Sequence, residues 1–361
     1  MTSNMKNLVD ELIDSHTLLD DAMSLKQGET VIKVKSNSQP LLDQLKAYFA
    51  HVVSVSASSA IEIIAIERET LQLDYPFQDW KREYGKQGRK DSYFDLDKAR
   101  LLRKVRTGMM YLQSEQYKIV AGPCLQNDNQ VINFIVTQFI NELLKKQYVI
   151  CHAAAVVNKG IALGIAGFSG GGKSTLMLEL LKQAELKFMT NDRLFIRKDN
   201  DWVNACGVPK LPRINPGTIV HHSMLKHMLS EEQCQRYLSM PTEELWHLEE
   251  KYDVMIDAIF GENRIEHDAT IKSFMVLNWH RNADQALQVK RVNLTERRDL
   301  LAAIMKSPGP FYQMRNGQFY QDTMGLKEEN YLAVFDAIDV YEVTGKTDFA
   351  ALADLCKDEI L

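Results

Sequence analysis

The chain has 361 residues, 45% of them hydrophobic and 25% charged, with a net charge of −5. That length suggests about two domains of roughly 100–200 residues. The composition is that of an ordinary soluble globular protein, and the negative balance argues against a general nucleic-acid binder. No apolar run approaches the roughly 18–20 residues of a membrane span. The first seven residues lack the basic start and apolar core of a signal peptide. Cys124, Cys151, Cys206, Cys234 and Cys356 are scattered without C-x-x-C spacing, which favours reduced thiols over a disulfide framework or a zinc site. A cytoplasmic protein is expected, with no membrane or nucleic-acid partner; homo-oligomerisation is left open.

Residues 7–25 carry Leu8, Leu12, Leu18, Leu19 and Met23 among acids and read as one or two amphipathic helices. Val31, Ile32 and Val34 mark a strand over 30–35. Pro40 then opens a helix over 41–51, proline being tolerated in a first turn. Residues 61–67 form a second strand. Residues 75–91 are a polar stretch with Lys81, Arg82, Lys86, Arg89 and Lys90 among Trp80, Tyr84, Gly85 and Gly88. They read as a solvated loop, an anion- or partner-binding loop being the alternative. Strands over 100–107 and 109–113 complete a small α+β region, residues 1–115, of unassigned role.

The second region, 116–361, opens with a strand over 116–125. A helix capped by Asn127 or Asp128 follows, with Ile132, Ile135, Val136, Phe139, Ile140, Leu143 and Leu144 on one face. Residues 148–157 read as one buried strand holding Cys151 and His152, and Asn158-Lys159-Gly160 turns it back into the strand over 161–166. Next comes Gly167-Phe168-Ser169-Gly170-Gly171-Gly172-Lys173-Ser174, which fits G-x-x-x-x-G-K-[ST] at every fixed position. Glycines let successive N–H groups curl round a phosphate without a Cβ in the way. The following helix, with Leu176, Met177, Leu180, Leu181 and Ala184 on one face, points its N-terminus at the same anion. Lys173 would reach the β- and γ-phosphates of ATP and the Ser174 hydroxyl would sit on Mg²⁺. Gly167 through Thr175 are therefore the candidate nucleotide-binding residues; the alternative is a glycine turn with no ligand.

An apolar run over 186–192 ends in Asn191-Asp192, and 194–197 continues it after a kink as a hairpin strand. Strand 202–206 leads into a loop over 207–217, stiffened by Pro209, Pro212 and Pro216, that bears Lys210 and Arg213. A guanidinium on a stiff loop suits an anionic substrate, and a surface charge pair is the competing reading. Residues 218–248 read as mainly helical, 257–261 and 271–278 as strands, 292–299 as a strand running into a helix behind Thr295, and 328–338 as a loop into a helix. The stretches 260–264, ending in Arg264, and 278–281, ending in Arg281, are weaker candidates for contacts, and read as core strands ending in polar turns.

The order of His152, hairpin, glycine turn, helix and Asn191-Asp192 resembles the HPr kinase/phosphorylase superfamily, and most nearly its branch of HPr-kinase-related kinase B. Thr190-Asn191-Asp192-Arg193 stands where that family carries adjacent aspartates, so one carboxylate is replaced by Asn191. The Glu-x-Arg-Gly-Leu-Gly signature of the true HPr enzymes is absent, and the basic 209–217 loop stands near its place. The resemblance implies an α/β fold, an HPr-kinase-like P-loop domain with a mixed sheet. It further implies an ATP- and Mg²⁺-dependent kinase acting on an unidentified small-molecule or protein hydroxyl other than HPr. Lys173, Asp192 and His152 would be its catalytic residues: Asp192 as the base or beside Ser174 at the metal, His152 bonded to Asp192 or to the acceptor. A nucleotide-binding regulatory or scaffold protein without productive turnover is the alternative from another class.

Overall fold

The computed structural model describes residues 2–55, 61–81, 88–168, 170–248, 250–280 and 283–361. Arg82, Tyr84, Gly85, Lys86, Ser169 and Arg281, singled out above, lie outside the described residues. The chain divides into two compact units, Met1–Gln147 with Ser307–Gly325, and Tyr148–Lys306 with Leu326–Leu361.

The first unit holds strands β1 (Ala22–Gln27), β2 (Thr30–Ser36), β3 (Ile61–Glu67), β4 (Gln78–Asp79), β5 (Asp91–Leu96), β6 (Ala99–Lys104), β7 (Met110–Ser114) and β8 (Lys118–Gly122), with helices α1 (Thr2–Ile13), α2 (Gln39–Tyr48) and α3 (Asp128–Lys145). The sheet order is β1-β2-β3-β8-β7-β6-β5-β4. The β2–β3 and β3–β8 pairs are parallel and the rest antiparallel. Helix α2 starts where Ser38 accepts a hydrogen bond from the Leu41 N–H, with proline in the first turn. Leu8 and Leu12 of α1 pack with Ile66, Leu101, Met110 and Leu112.

Ala22–Gln27 is a strand and not part of a helix: Met23 and Leu25 alternate inward, a period of two that so short a run had concealed. The boundary expected after residue 115 falls after Gln147. Strand β8 pairs with both β3 and β7, so it cannot leave the first sheet. The chain also returns to this unit at Ser307–Gly325. There Phe311 packs against Tyr111 and Phe134, with ring centroids 5.2 and 5.3 Å away, and the Asn141 amide donates to the Phe311 carbonyl.

Arg100 on β6 ties this returning segment in. Its fully buried guanidinium forks onto both Asp95 oxygens, at 2.6 and 2.8 Å, and donates to the Pro310 and Tyr320 carbonyls. The faces of Tyr93 and Phe319 cover it at 4.4 and 4.7 Å. An ammonium can reproduce neither the fork nor the stacking.

The second unit holds β9 (Val149–Cys151), β10 (Ala153–Asn158), β11 (Ile161–Gly167), β12 (Leu186–Thr190), β13 (Leu194–Asp199), β14 (Trp202–Cys206), β15 (Arg213–Ile214), β16 (Tyr252–Asp253), β17 (Asp268–Leu277), β18 (Gln288–Val292) and β19 (Asp339–Thr344). Its helices are α4 (Lys173–Leu180), α5 (Pro216–His221), α6 (Glu231–Leu238), α7 (Thr242–His247), α8 (Ile256–Phe260), α9 (Leu301–Ile304), α10 (Glu328–Phe335) and α11 (Phe349–Leu355). The large mixed sheet runs β12-β10-β11-β17-β14-β13-β9, with β19 on β17 and β18 on β19; β15 and β16 pair separately. Phe274, Val276, Met189, Leu194 and Phe335 lie in its core.

The strand expected over 148–157 is broken at His152 into β9 and β10. The kink expected after Asp192 lies opposite that break. Ala155 pairs with Thr190 on one side and Cys151 with Leu194 on the other, so the two antiparallel segments resume pairing on either side of a shared bend. Strand β13 forms its hairpin with β14, as β12 pairs with β10. The strand expected over 257–261 is helix α8, ended by Gly261 at φ 102°. Four apolar or small residues in a row fit either period.

Replacing Arg100 by Met should destabilise the full chain by about 3 kcal/mol, the scale on which removing one partner of a buried charge pair costs stability. Urea unfolding checks this, and a midpoint equal to that of the wild type would deny Arg100 its role.

Candidate functional site

Strands β11, β12 and β17 run in the same direction, since β11 and β17 are parallel and β10 is antiparallel to both β11 and β12. Their carboxyl ends, with the start of β10, therefore share one edge of the sheet. That edge carries the glycine turn after β11, Asn191-Asp192 after β12, Asn278-Trp279 after β17, and His152 just before β10.

The turn leaves β11 at Gly167 and enters α4 at Lys173. Gly170 and Gly172 have φ of 75° and 84°, a backbone that suits glycine. The Gly171 N–H closes on the Phe168 carbonyl at 2.8 Å, and the Lys173 ammonium returns to the Gly167 carbonyl at 3.4 Å. Phe168 is partly exposed. Ser174 is half-buried in the first turn of α4, and the Thr175 hydroxyl meets that of Thr218, 3.4 Å away on α5. Burial lowers the pKa of Lys173 from its usual value; Asp192 counters this and Lys306 adds to it. Lys173 and Asp192 thus feel one another's charge.

Asp192 sits at the bend. Its Oδ1 lies 3.1 Å from His152 Nε2, its Oδ2 3.0 Å from Lys306 Nζ and 3.9 Å from Arg193 Nε. Crowding by protein atoms opposes its charge. Lys306, His152 and Arg193 together outweigh that and hold the carboxyl well below the usual carboxylate range. The Thr190 hydroxyl donates to the Arg193 carbonyl and closes the bend.

No sequence signal points to Lys306. It arrives because Met305 bridges to Cys151, the His152 N–H donates to the Ile304 carbonyl at 2.7 Å, and Tyr331 accepts the Lys306 N–H while donating to Ile150. One short pairing thus delivers both His152 and Lys306 to Asp192. A lysine after a four-residue helix carries no local signal of this.

The loop cations part company. Arg213 is bound across the β15–β16 pair, to Asp253 on β16 at 3.3 Å and to the Lys251 carbonyl. Lys210 lies within the field of the bend: burial and the neighbouring Arg193 push its pKa down to about 7, Arg213 adds to this, and Asp192 and Asp253 oppose it. Of the weaker candidates, Arg264 is structural, its buried guanidinium donating to the carbonyls of Leu186, Phe260, Leu181 and Gln183.

Magnesium takes hard oxygen ligands, commonly one or two carboxylates besides phosphate and water. The Ser174 hydroxyl and Asp192 are donors of that kind, and the buried Asn191 Oδ1 next to Asp192 has no hydrogen-bond partner. The donor chemistry therefore fits. Among the described residues no group of three or more His, Cys, Asp or Glu gathers to hold a metal alone, and no helix is long and apolar enough to cross a membrane.

No family model matches the chain, and no curated protein matches it. Among solved structures it is similar to the Hpr(Ser) kinase/phosphatase from Coxiella burnetii, at 10% identity over 58% of this chain and 94% of that one, with a TM-score of 0.30. A likeness this slight leaves the site to stand on its own residues.

Lys210 generates a pH test. Between pH 7 and about 10.4, the ordinary lysine value, the unfolded chain binds a proton at this position that the folded chain has released. Folding stability gained from this group therefore rises with pH through that window and is lowest below pH 7. Lys210→Met should flatten that rise in a series of urea titrations from pH 6 to 10, and an unchanged slope would contradict it.

Proposed function

We propose that this chain is a Mg-ATP-dependent phosphotransferase resembling the HPr-kinase-related kinases, passing the γ-phosphoryl group to a hydroxyl acceptor that is anionic or polar and is not HPr. The observation that carries this is the meeting, at one sheet edge, of a complete G-x-x-x-x-G-K-[ST] turn and a carboxylate surrounded by cations. Phosphoryl transfer asks for little covalent chemistry. It needs a cradle for the phosphates, cations for the charge on the moving group, and a residue to take the acceptor's proton.

In this reading the N–H groups of the turn and the start of α4 hold the phosphates, and Lys173 spans the β- and γ-groups. The acceptor oxygen bonds to the γ-phosphorus, and the bond from that phosphorus to the bridging oxygen breaks. ADP leaves with the electron pair, and the acceptor's proton passes to Asp192. His152 donates to Asp192 and orients it. Lys306, Arg193 and Lys210 offset charge on the transferring group and on an anionic acceptor. Ser174 and Asp192 would hold Mg²⁺, which when bound neutralises phosphate charge.

Calorimetry with Mg-ATP and a screen of acceptors with γ-labelled ATP test the proposal together. Lys173→Ala should abolish most phosphate affinity or turnover, and survival of both would sink it. Nucleotide binding without transfer to any acceptor would instead favour a regulatory nucleotide-binding protein. Once an acceptor is found, Lys306→Met should slow transfer by about 10²-fold, the effect of removing one fixed charge-stabilising group from an active site, while nucleotide affinity changes much less.

A further inference from the structure

We infer that Trp279 is a positioning residue that latches the Gly171–Gly172 peptide in its anion-receptive orientation. The inference rests on the reading of the glycine turn as a phosphate cradle. It starts from a carbonyl. The indole Nε1–H of Trp279 donates to the Gly171 oxygen at 2.9 Å. A trans peptide is planar, and its C=O and following N–H point in opposite directions. With the Gly171 carbonyl held on the indole, the Gly172 N–H points away from Trp279, on the side opposite the captured oxygen. It is then free to meet an anion, while the carbonyl's negative end is withheld from it.

The latch is needed because the sequence here is Gly-Gly. Rotating this peptide by half a turn changes ψ of Gly171 and φ of Gly172, and glycine permits both at low cost. The flipped state would present the carbonyl oxygen to a phosphate. A turn made of glycines for close approach therefore carries a built-in alternative that repels its ligand, and the indole hydrogen bond selects against it.

The latch is itself held firmly. The Asn278 N–H donates to the Val343 carbonyl at 2.8 Å and the His280 N–H to that of Gly345, so the backbone on both sides of Trp279 is fixed to the end of β19. The Asn278 amide reaches Glu342, which Arg297 also binds. The indole is almost wholly buried and meets the Phe349 ring edge to face, centroids 5.0 Å apart at 89°. That ring closes on Gly172 so tightly that a Cβ there would drive into it. Gly172 must thus be glycine for two reasons, its φ of 84° and the aromatic wall.

Trp279→Phe removes the N–H and keeps a ring against Phe349. Inorganic pyrophosphate and Mg-ADP, titrated into the full chain, should each bind about tenfold more weakly to the variant, the worth of one hydrogen bond. The unfolding midpoint should shift little. A second measurement needs no variant. Coupling between two events is reciprocal, so saturating pyrophosphate should slow hydrogen exchange of the Trp279 indole N–H in the wild-type protein. Unchanged affinity in a folded Trp279→Phe, or indole exchange indifferent to pyrophosphate, would overturn the latch and leave the nucleotide reading intact. Failure of the wild-type protein to bind either probe would overturn both.

Discussion

The bend shared by two antiparallel segments, at His152 on one and at Asn191-Asp192-Arg193 on the other, is the constraint on which the site depends. A regular ladder would have paired these residues and sent their side chains alternately to the two faces of the sheet. Interrupting it leaves backbone groups that must find other partners. The His152 N–H goes to Ile304 and the Arg193 carbonyl to Thr190. The first of these draws in the segment that carries Lys306. The second closes the turn that presents Asp192. The local cost of breaking the sheet is offset by bonds that assemble a cluster of charged side chains, and pairing resumes on both flanks, at Ala155 with Thr190 and at Cys151 with Leu194, with a bulge just beyond Ala155.

Helix α4 is held at both ends by residues distant in sequence. At its start, Trp279 and Phe349 close on Gly171 and Gly172. Just past its end, Arg264 gathers the carbonyls of Leu181 and Gln183 together with that of Leu186, where β12 begins. The Leu181 carbonyl is one that a helix terminus leaves without a partner, and a planar guanidinium can serve several carbonyls at once. The same residue thus fixes the passage from α4 into β12, and so where β12 delivers Asp192. The spacing between the glycine turn and the carboxylate is set from the far side of the helix as much as by the turn itself.

What could be read from the residues alone was what is local. The strand, glycine turn and helix announce themselves because each glycine and each apolar position acts within a few residues of its neighbours. His152 and Asp192 were singled out by their order around that turn, and the structure brings them within 3.1 Å. Lys306 was invisible because its approach depends on a bridge between Cys151 and Met305, which no periodicity encodes. Trp279 reads only as part of a polar turn, since a bond from an indole to a glycine carbonyl leaves no sequence pattern. The boundary after residue 115 failed for a related reason: β8 reads as the start of something new, yet pairs in parallel with β3, a long-range choice. Ala22–Gln27 and Ile256–Phe260 failed because runs of so few apolar residues fit either period.

The charges around the bend gather positive side chains at one place in a chain that is itself acidic. Asp192 is met by Lys306, His152 and Arg193, and Lys173 and Lys210 lie within its field. The lysines and arginine outnumber the carboxylate, and burial depresses the pKa of both Lys173 and Lys210. A depressed lysine pKa states that positive charge is costly where it stands. Negative charge brought among these groups lowers that cost, as Asp192 does for both lysines. The net charge of −5 opposes this little, because charges beyond a Debye length of about 8 Å at physiological salt are largely screened. Structural ion pairs dispense with such an excess, as Arg100 does with its bidentate Asp95. Around the bend several cations share the one Asp192 carboxylate instead.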